Sequence, residues 1–165
     1  MSATSKEIAL AAFESIGAND ARDLRERAPS MDSTSLIAEE TKVPYFDPNK
    51  DYTGWAVGSP VLEDVDGSTQ LFTLITPHNA SHYPGSTPSN TPALWSIRHT
   101  KDPMKAKPFL PAQGTSGMYE MDECCTDAGH VWRSKVGSNV YSPTDYAQNW
   151  DDLGTIEEVQ GGGGA

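Results

Sequence analysis

The sequence predicts a mainly β protein with a short α-helical N-terminal segment and two small antiparallel β-sheet modules in tandem. Three observations carry that expectation. Helical apolar spacing and capping signals are confined to about the first 40 residues. The remainder is rich in Pro, Gly, Ser and Thr, with short β-like runs between turns, and one ordered set of aromatic and glycine landmarks occurs twice.

At the N-terminus, Thr4 followed by Glu7 is a capping-box signal, Ile8, Ala12 and Ile16 recur at helical spacing, and Gly17 supplies a stop. That predicts one short amphipathic helix. "NDARDLRERAPSM" reads as a charged second turn or helix ended by Pro29, and "DSTSLIAEE" restarts with Asp32 or Ser33 as cap and Leu36 and Ile37 as apolar anchors. Helices this short are marginal alone. Residues 1–42 are therefore expected to pack on a partner, either as a cap on the following domain or as an attachment arm onto another protein.

From Val43 onward "LFTLIT" is the clearest strand and "GHVWRS" a second, with Trp132 and Ser134 on one face and Val131 and Arg133 on the other. Gly67 in "DVDG" and Gly129 in "DAG" are the glycines that tight hairpins use. The repeat follows from the spacing. Phe46, Trp55, Val61, Gly67, Phe72 and a closing Trp95 are answered in order by Phe109, Tyr119, Cys125, Gly129, Trp132 and a closing Trp150. This reads as two diverged copies of one unit, module 1 at 43–97 and module 2 at 109–154, joined by a Pro/Lys-rich linker at 98–108 and followed by a Gly-rich tail at 155–165.

Composition narrows the function classes. Twelve Lys+Arg against 23 Asp+Glu give a formal charge of -11, which repels phosphate backbones and anionic lipids, so no nucleic acid partner is expected. No apolar run approaches a membrane span of about 20 residues, and "MSATSKEIALAAF" lacks the basic and apolar regions of a leader. The expectation is a soluble chain without a cleaved signal or membrane insertion.

Catalytic and metal chemistry find little footing. Cys124 and Cys125 are adjacent, so they cannot staple distant parts of the fold, and only His130 lies near them as a further zinc ligand. His78 and His82 have the spacing of helical zinc ligands, but prolines at 77 and 84 make that stretch a loop. Asp122, Glu123 and Asp127 cluster, yet a glycosidase needs two carboxyls across a cleft, and a module this small offers a surface. Neither a Gly-x-Ser-x-Gly elbow nor a phosphate loop is present. The sequence therefore predicts a protein that is not an enzyme and uses no cofactor and no metal.

"YEMDECCTDAGHVWRSKVGSNVYSPTDYAQNW" resembles the carbohydrate-binding family 5/12 (chitin-binding type) pattern, in the version found in bacteriophage and prophage structural proteins. The match runs through Tyr119, Gly129, Trp132, Ser134, Asn139, Val140, Ser142, Pro143, Tyr146 and Trp150. Module 1 resembles the companion module of such proteins through Trp55, Gly58, Val61, His78, Pro92, Leu94 and Trp95. Together the likeness covers about residues 30 to 154. It departs from the pattern where Asp122-Glu123 replaces the usual Gly-Asp, where Tyr141 replaces a common tryptophan, and where Cys125 takes the aliphatic core position.

The resemblance implies a virion structural protein, on head or tail, attached to other virion proteins through its N-terminal segment. It would be a homo-oligomer that presents sugar-binding modules to host-surface glycans. The candidate carbohydrate-binding residues are Tyr141, Tyr146, Trp132, Trp150 and Tyr83. Trp132 and Trp150 are expected to close the small core. Tyr141 and Tyr146 flank Pro143, and Tyr83 precedes Pro84. Exposed together, the two tyrosines would form a platform of the kind sugars stack on; buried, they would only complete the core.

Overall fold

A computed structural model describes residues 4–161. Helix α1 spans Ser5–Arg27 and opens on the expected capping box: Thr4 Oγ1 accepts the Glu7 amide at 3.2 Å and the Glu7 carboxylate accepts the Thr4 amide at 2.6 Å. The helix does not stop at Gly17 but runs through it. A mid-helix glycine costs about 1 kcal/mol relative to alanine, too little to end a helix held at both ends. Asp32 caps α2, Ser33–Ala38, by accepting the Ser35 amide at 2.7 Å.

The apolar stripe expected to pack, Ile8, Ala12 and Ile16, is exposed, with Ile8 at 60% and Ile16 at 56%. Contact with the body comes instead from the last turns. Leu24 and Ala28 join Leu36, Ile37 and Val43 over Leu62 and Leu71 of the first sheet. Arg27 donates two hydrogen bonds of 3.1 Å to Glu39, and with Lys42 it holds that carboxyl down at about 2. The Arg25 guanidinium lies 4.5 Å from the centre of the Trp55 ring.

Sheet 1 comprises β1 (Pro60–Val65), β2 (Ser68–Leu74) and β3 (Trp95–Ile97), all antiparallel in that order. Sheet 2 comprises β4 (Lys107–Pro108), β5 (Cys124–Asp127), β6 (His130–Ser134) and β7 (Trp150–Thr155), with β4 parallel to β5 and the rest antiparallel. Helix α3, Ile156–Gln160, follows directly.

The repeated landmarks occupy matching ladder positions. Val61 faces Phe72 as Cys125 faces Trp132, and Leu74 faces Trp95 as Ser134 faces Trp150. Phe46 donates its amide to Leu62 at 2.8 Å, and Phe109 donates its own to Thr126 at 2.9 Å. Both hairpins turn on two residues in the left-handed region, Asp66-Gly67 and Ala128-Gly129, the type I′ geometry that suits strand twist.

One pairing needs correction. The ring that corresponds to Tyr119 is Tyr52, not Trp55. Tyr119 stacks on Phe109 (5.2 Å, 16°), meets Trp150 edge-on (5.4 Å, 69°) and accepts the Leu110 amide on its hydroxyl. Tyr52 stacks on Phe46 (5.8 Å, 12°), meets Trp95 edge-on (5.2 Å, 90°) and accepts the Asp47 amide. Each module is thus built on the same Phe/Tyr/Trp triad, while Trp55 receives the helical segment.

Alternation places each module's aromatic core on one face of its sheet and a helical cover on the other. Cys125 joins Tyr119 and Trp150, whereas Cys124, one residue away, joins Ala106 and Val131 beneath Val159 of α3. The tail expected from residue 155 is therefore helical to Gln160, whose amide nitrogen donates to the Pro103 and Ala106 carbonyls.

The segment 98–108 is likewise no free spacer. His99, Thr100 and Ala106 are buried, Thr100 bridges to Cys124, and β4 belongs to sheet 2. Across the junction Lys107 pairs with Glu40 at 2.8 Å and the Gln70 amide donates to the Pro108 carbonyl.

The missing Gly-Asp is also explained. Gly58 and Asp122 occupy the same place: their amides donate to Leu74 and Ser134, and both take positive φ, 96° and 73°. Gly58 is required twice over, because a Cβ there would lie 3.0 Å from the Pro29 Cα. Asp122 is exposed and has only the backbone problem. Relief of its left-handed strain, about 1–2 kcal/mol, exceeds the extra chain entropy that a glycine loses, about 0.5–1 kcal/mol. Asp122→Gly should therefore raise stability by about 0.5–1 kcal/mol, read as a shifted denaturation midpoint at unchanged slope; a fall in the midpoint would refute the equivalence.

Candidate carbohydrate-binding surface

The Tyr141–Tyr146 loop leaves β6, returns to β7, and is tied down at almost every residue. The Tyr141 amide donates to Asn139 Oδ1 (3.3 Å), and its carbonyl accepts the Trp150 indole N–H (3.0 Å). Asn139 is buried and donates to Ser134 Oγ at 3.0 Å, so this anchor is itself fixed. Pro143 is buried; beside it the Thr144 amide and hydroxyl both donate to Asp127 Oδ2, at 2.9 and 2.7 Å. The Tyr146 amide closes the turn by donating to the Ser142 carbonyl at 2.9 Å.

This network presents two phenol rings to solvent. Tyr141 is 55% exposed and Tyr146 41%, with ring centroids 5.6 Å apart and planes inclined by 37°. Apolar ring faces with polar edges, held on a locked backbone, can stack on pyranose rings without the cost of ordering a mobile loop.

The other sequence candidates separate. Trp150 is 3% exposed, inside the triad, and offers no surface to a ligand; its contribution is the hydrogen bond that positions Tyr141. Trp132 is half-buried against the same core, its indole donating to the Asp127 carbonyl at 3.0 Å. Tyr83 is 47% exposed but belongs to module 1, edge-on to buried His78 (5.7 Å, 81°), and is not joined to the tyrosine pair. Sequence reasoning placed Asp127 in an acidic cluster and missed that it anchors the loop.

Among the described residues no group of three or more His, Cys, Asp or Glu side chains could hold a metal. His78 Nδ1 lies 2.8 Å from the Thr76 carbonyl and His130 pairs with Asp152 at 2.9 Å. Burial pushes the Cys124 thiol up to about 11 and Cys125 upward as well, so both stay protonated at neutral pH. No helix among the described residues is long and apolar enough to cross a membrane. Compared with known proteins, the chain matches no family model, no curated protein and no solved structure.

Proposed function

We propose that the protein is a non-enzymatic structural component of a bacteriophage virion, a head or tail decoration or fibre protein, whose modules attach to host-surface glycans. The observation that carries the reading is the exposed Tyr141–Tyr146 pair on its hydrogen-bonded loop. Virion placement is supported by the resemblance of the module motifs and by the exposed Ile8, Ala12 and Ile16 of α1, a surface that other virion proteins would cover. A shallow site of two rings binds weakly, and many copies on one particle raise effective binding by about 10² to 10⁴. A homo-oligomeric arrangement on the virion surface fits that logic.

Incubating the purified chain with insoluble chitin and with bacterial cell walls tests the reading. The protein should be depleted from solution, and Tyr141→Ala should weaken retention about fivefold, the loss of about 1 kcal/mol of ring contact. Retention of the variant equal to that of the parent would remove the site from this loop. A second reading, decoration of the particle without sugar binding, is favoured by module 1. There Trp55 is covered by Arg25 and Lys50, and the exposed rings, Tyr45 and Tyr83, are not paired with each other. Absence of depletion on both materials would support it.

A further inference from the structure

We propose that α1 pairs with α1 of a second copy of the chain, in an antiparallel two-fold arrangement centred on Ala12. The inference rests on the reading that the exposed face of α1 is covered in the assembly, and names what covers it; it is independent of sugar binding.

Every described side chain from Thr4 to Asp20 is exposed, and the packed contacts of the helix begin only at Leu24 and Ala28. Along the exposed length Ser5, Ile8, Ala12, Ile16 and Asn19 stand at steps of 3, 4, 4 and 3 residues. At 3.6 residues per turn all five fall within one arc of about 80°. Backbone geometry alone fixes that placement. The face therefore reads the same from either end: a polar residue, an isoleucine, the small Ala12, an isoleucine, a polar residue. Ile8 is 60% exposed and Ile16 56%.

A two-fold interface sets residue i against j and j against i, so it requires a face that a half-turn maps onto itself. With the axis through Ala12, Ile8 of each copy meets Ile16 of the other, and Ser5 meets Asn19. The two Ala12 methyls meet at the crossing, where a small side chain lets helix axes approach to about 8 Å. Ile8, Ala12 and Ile16 also form an i±4 ridge, the row that most often interdigitates between packed helices. A different partner protein would impose no such symmetry on the row.

Charge decides the direction. A parallel pair would also bring isoleucines together, but it would hold two bodies side by side, each in a chain of net charge -11. In the antiparallel pair Leu24, where packing on the body begins, lies twelve residues from the axis in each copy. At 1.5 Å per residue the two bodies then start about 36 Å apart. That is several times the Debye length of about 8 Å at physiological salt, so their repulsion is screened.

Sedimentation equilibrium of the full chain over a range of concentrations tests the pairing, with Ile8→Glu and the double variant Ile8→Glu, Ile16→Lys alongside and thermal melts to confirm that both fold. The parent should show a monomer–dimer equilibrium, and Ile8→Glu should weaken it by about tenfold or more. The double variant should restore the dimer, because the new carboxylate of each copy meets the new ammonium of the other; a parallel pair would set like charges together and stay apart. A monomeric parent, a higher oligomer, an Ile8→Glu variant that dimerises like the parent, or a double variant that stays monomeric would each overturn the inference. None of these results bears on sugar binding, which depletion by chitin and cell walls reads separately.

Discussion

Trp150→Ala is expected to cost about 4–6 kcal/mol, enough to unfold a domain of ordinary stability. Truncating a buried tryptophan alone costs about 3–5 kcal/mol. Trp150 is 3% exposed and meets Phe109 (6.4 Å, 83°) and Tyr119 (5.4 Å, 69°), so two aromatic pairs are lost with it. The Tyr141 carbonyl also loses its indole donor. Tyr141→Ala, nine positions away on the same loop, removes an exposed ring and should move stability by no more than about 0.5 kcal/mol. Denaturant titrations of the two variants beside the parent separate core from surface; similar midpoints for both would refute the division of roles.

Acid should destabilise the fold through His99. Its ring is 7% exposed, lies face to face on Tyr119 (3.7 Å, 11°), and donates through Nε2 to the Gly117 carbonyl at 3.0 Å. Burial without a charged partner pushes it down to about 4, from about 6.5 in an unfolded chain. The unfolded chain therefore binds this proton at higher pH than the folded one. The His99 contribution is complete above pH 6.5, falls as pH drops, and is lost by about pH 4, a change of about 3 kcal/mol. Glu123 acts in the opposite sense, since burial raises it and protonation favours the fold. Chemical denaturation at successive pH values should show the slope, and His99→Gln should flatten it between pH 6.5 and 4 whatever its stability at neutral pH. An unchanged slope in that variant would assign the acid sensitivity elsewhere.

What was legible in the sequence is what local chemistry determines. A helix cap at Asp32, one of the two positions the sequence offered, and the hairpin glycines follow from hydrogen-bonding reach and turn geometry, and both are found in place. The duplication was legible because strand pairing preserves residue spacing, as Val61 with Phe72 and Cys125 with Trp132 show. Spacing counts backbone steps and not the reach of side chains, so Tyr52 stayed hidden behind Trp55. Gly17 misled because a helix end is settled by packing, and the contacts that hold α1 lie beyond it, at Leu24 and Ala28. In the candidate surface, both tyrosines could be named from their place in the loop around Pro143, although the sequence left open whether they were exposed or buried. Asp127 could not, because its bonds to Thr144 span 17 positions and exist only once the sheet has formed.

The matched ladders give the two modules interchangeable sockets. Leu74 and Trp95 face each other at the ends of one connection, Ser134 and Trp150 at the ends of the other, and the same aromatic triad supports both. The residues between, 75–94 and 135–149, are thus cassettes held at equivalent points on a common frame. Loops can diverge, lengthen or be exchanged there while the paired strands at their ends keep their register.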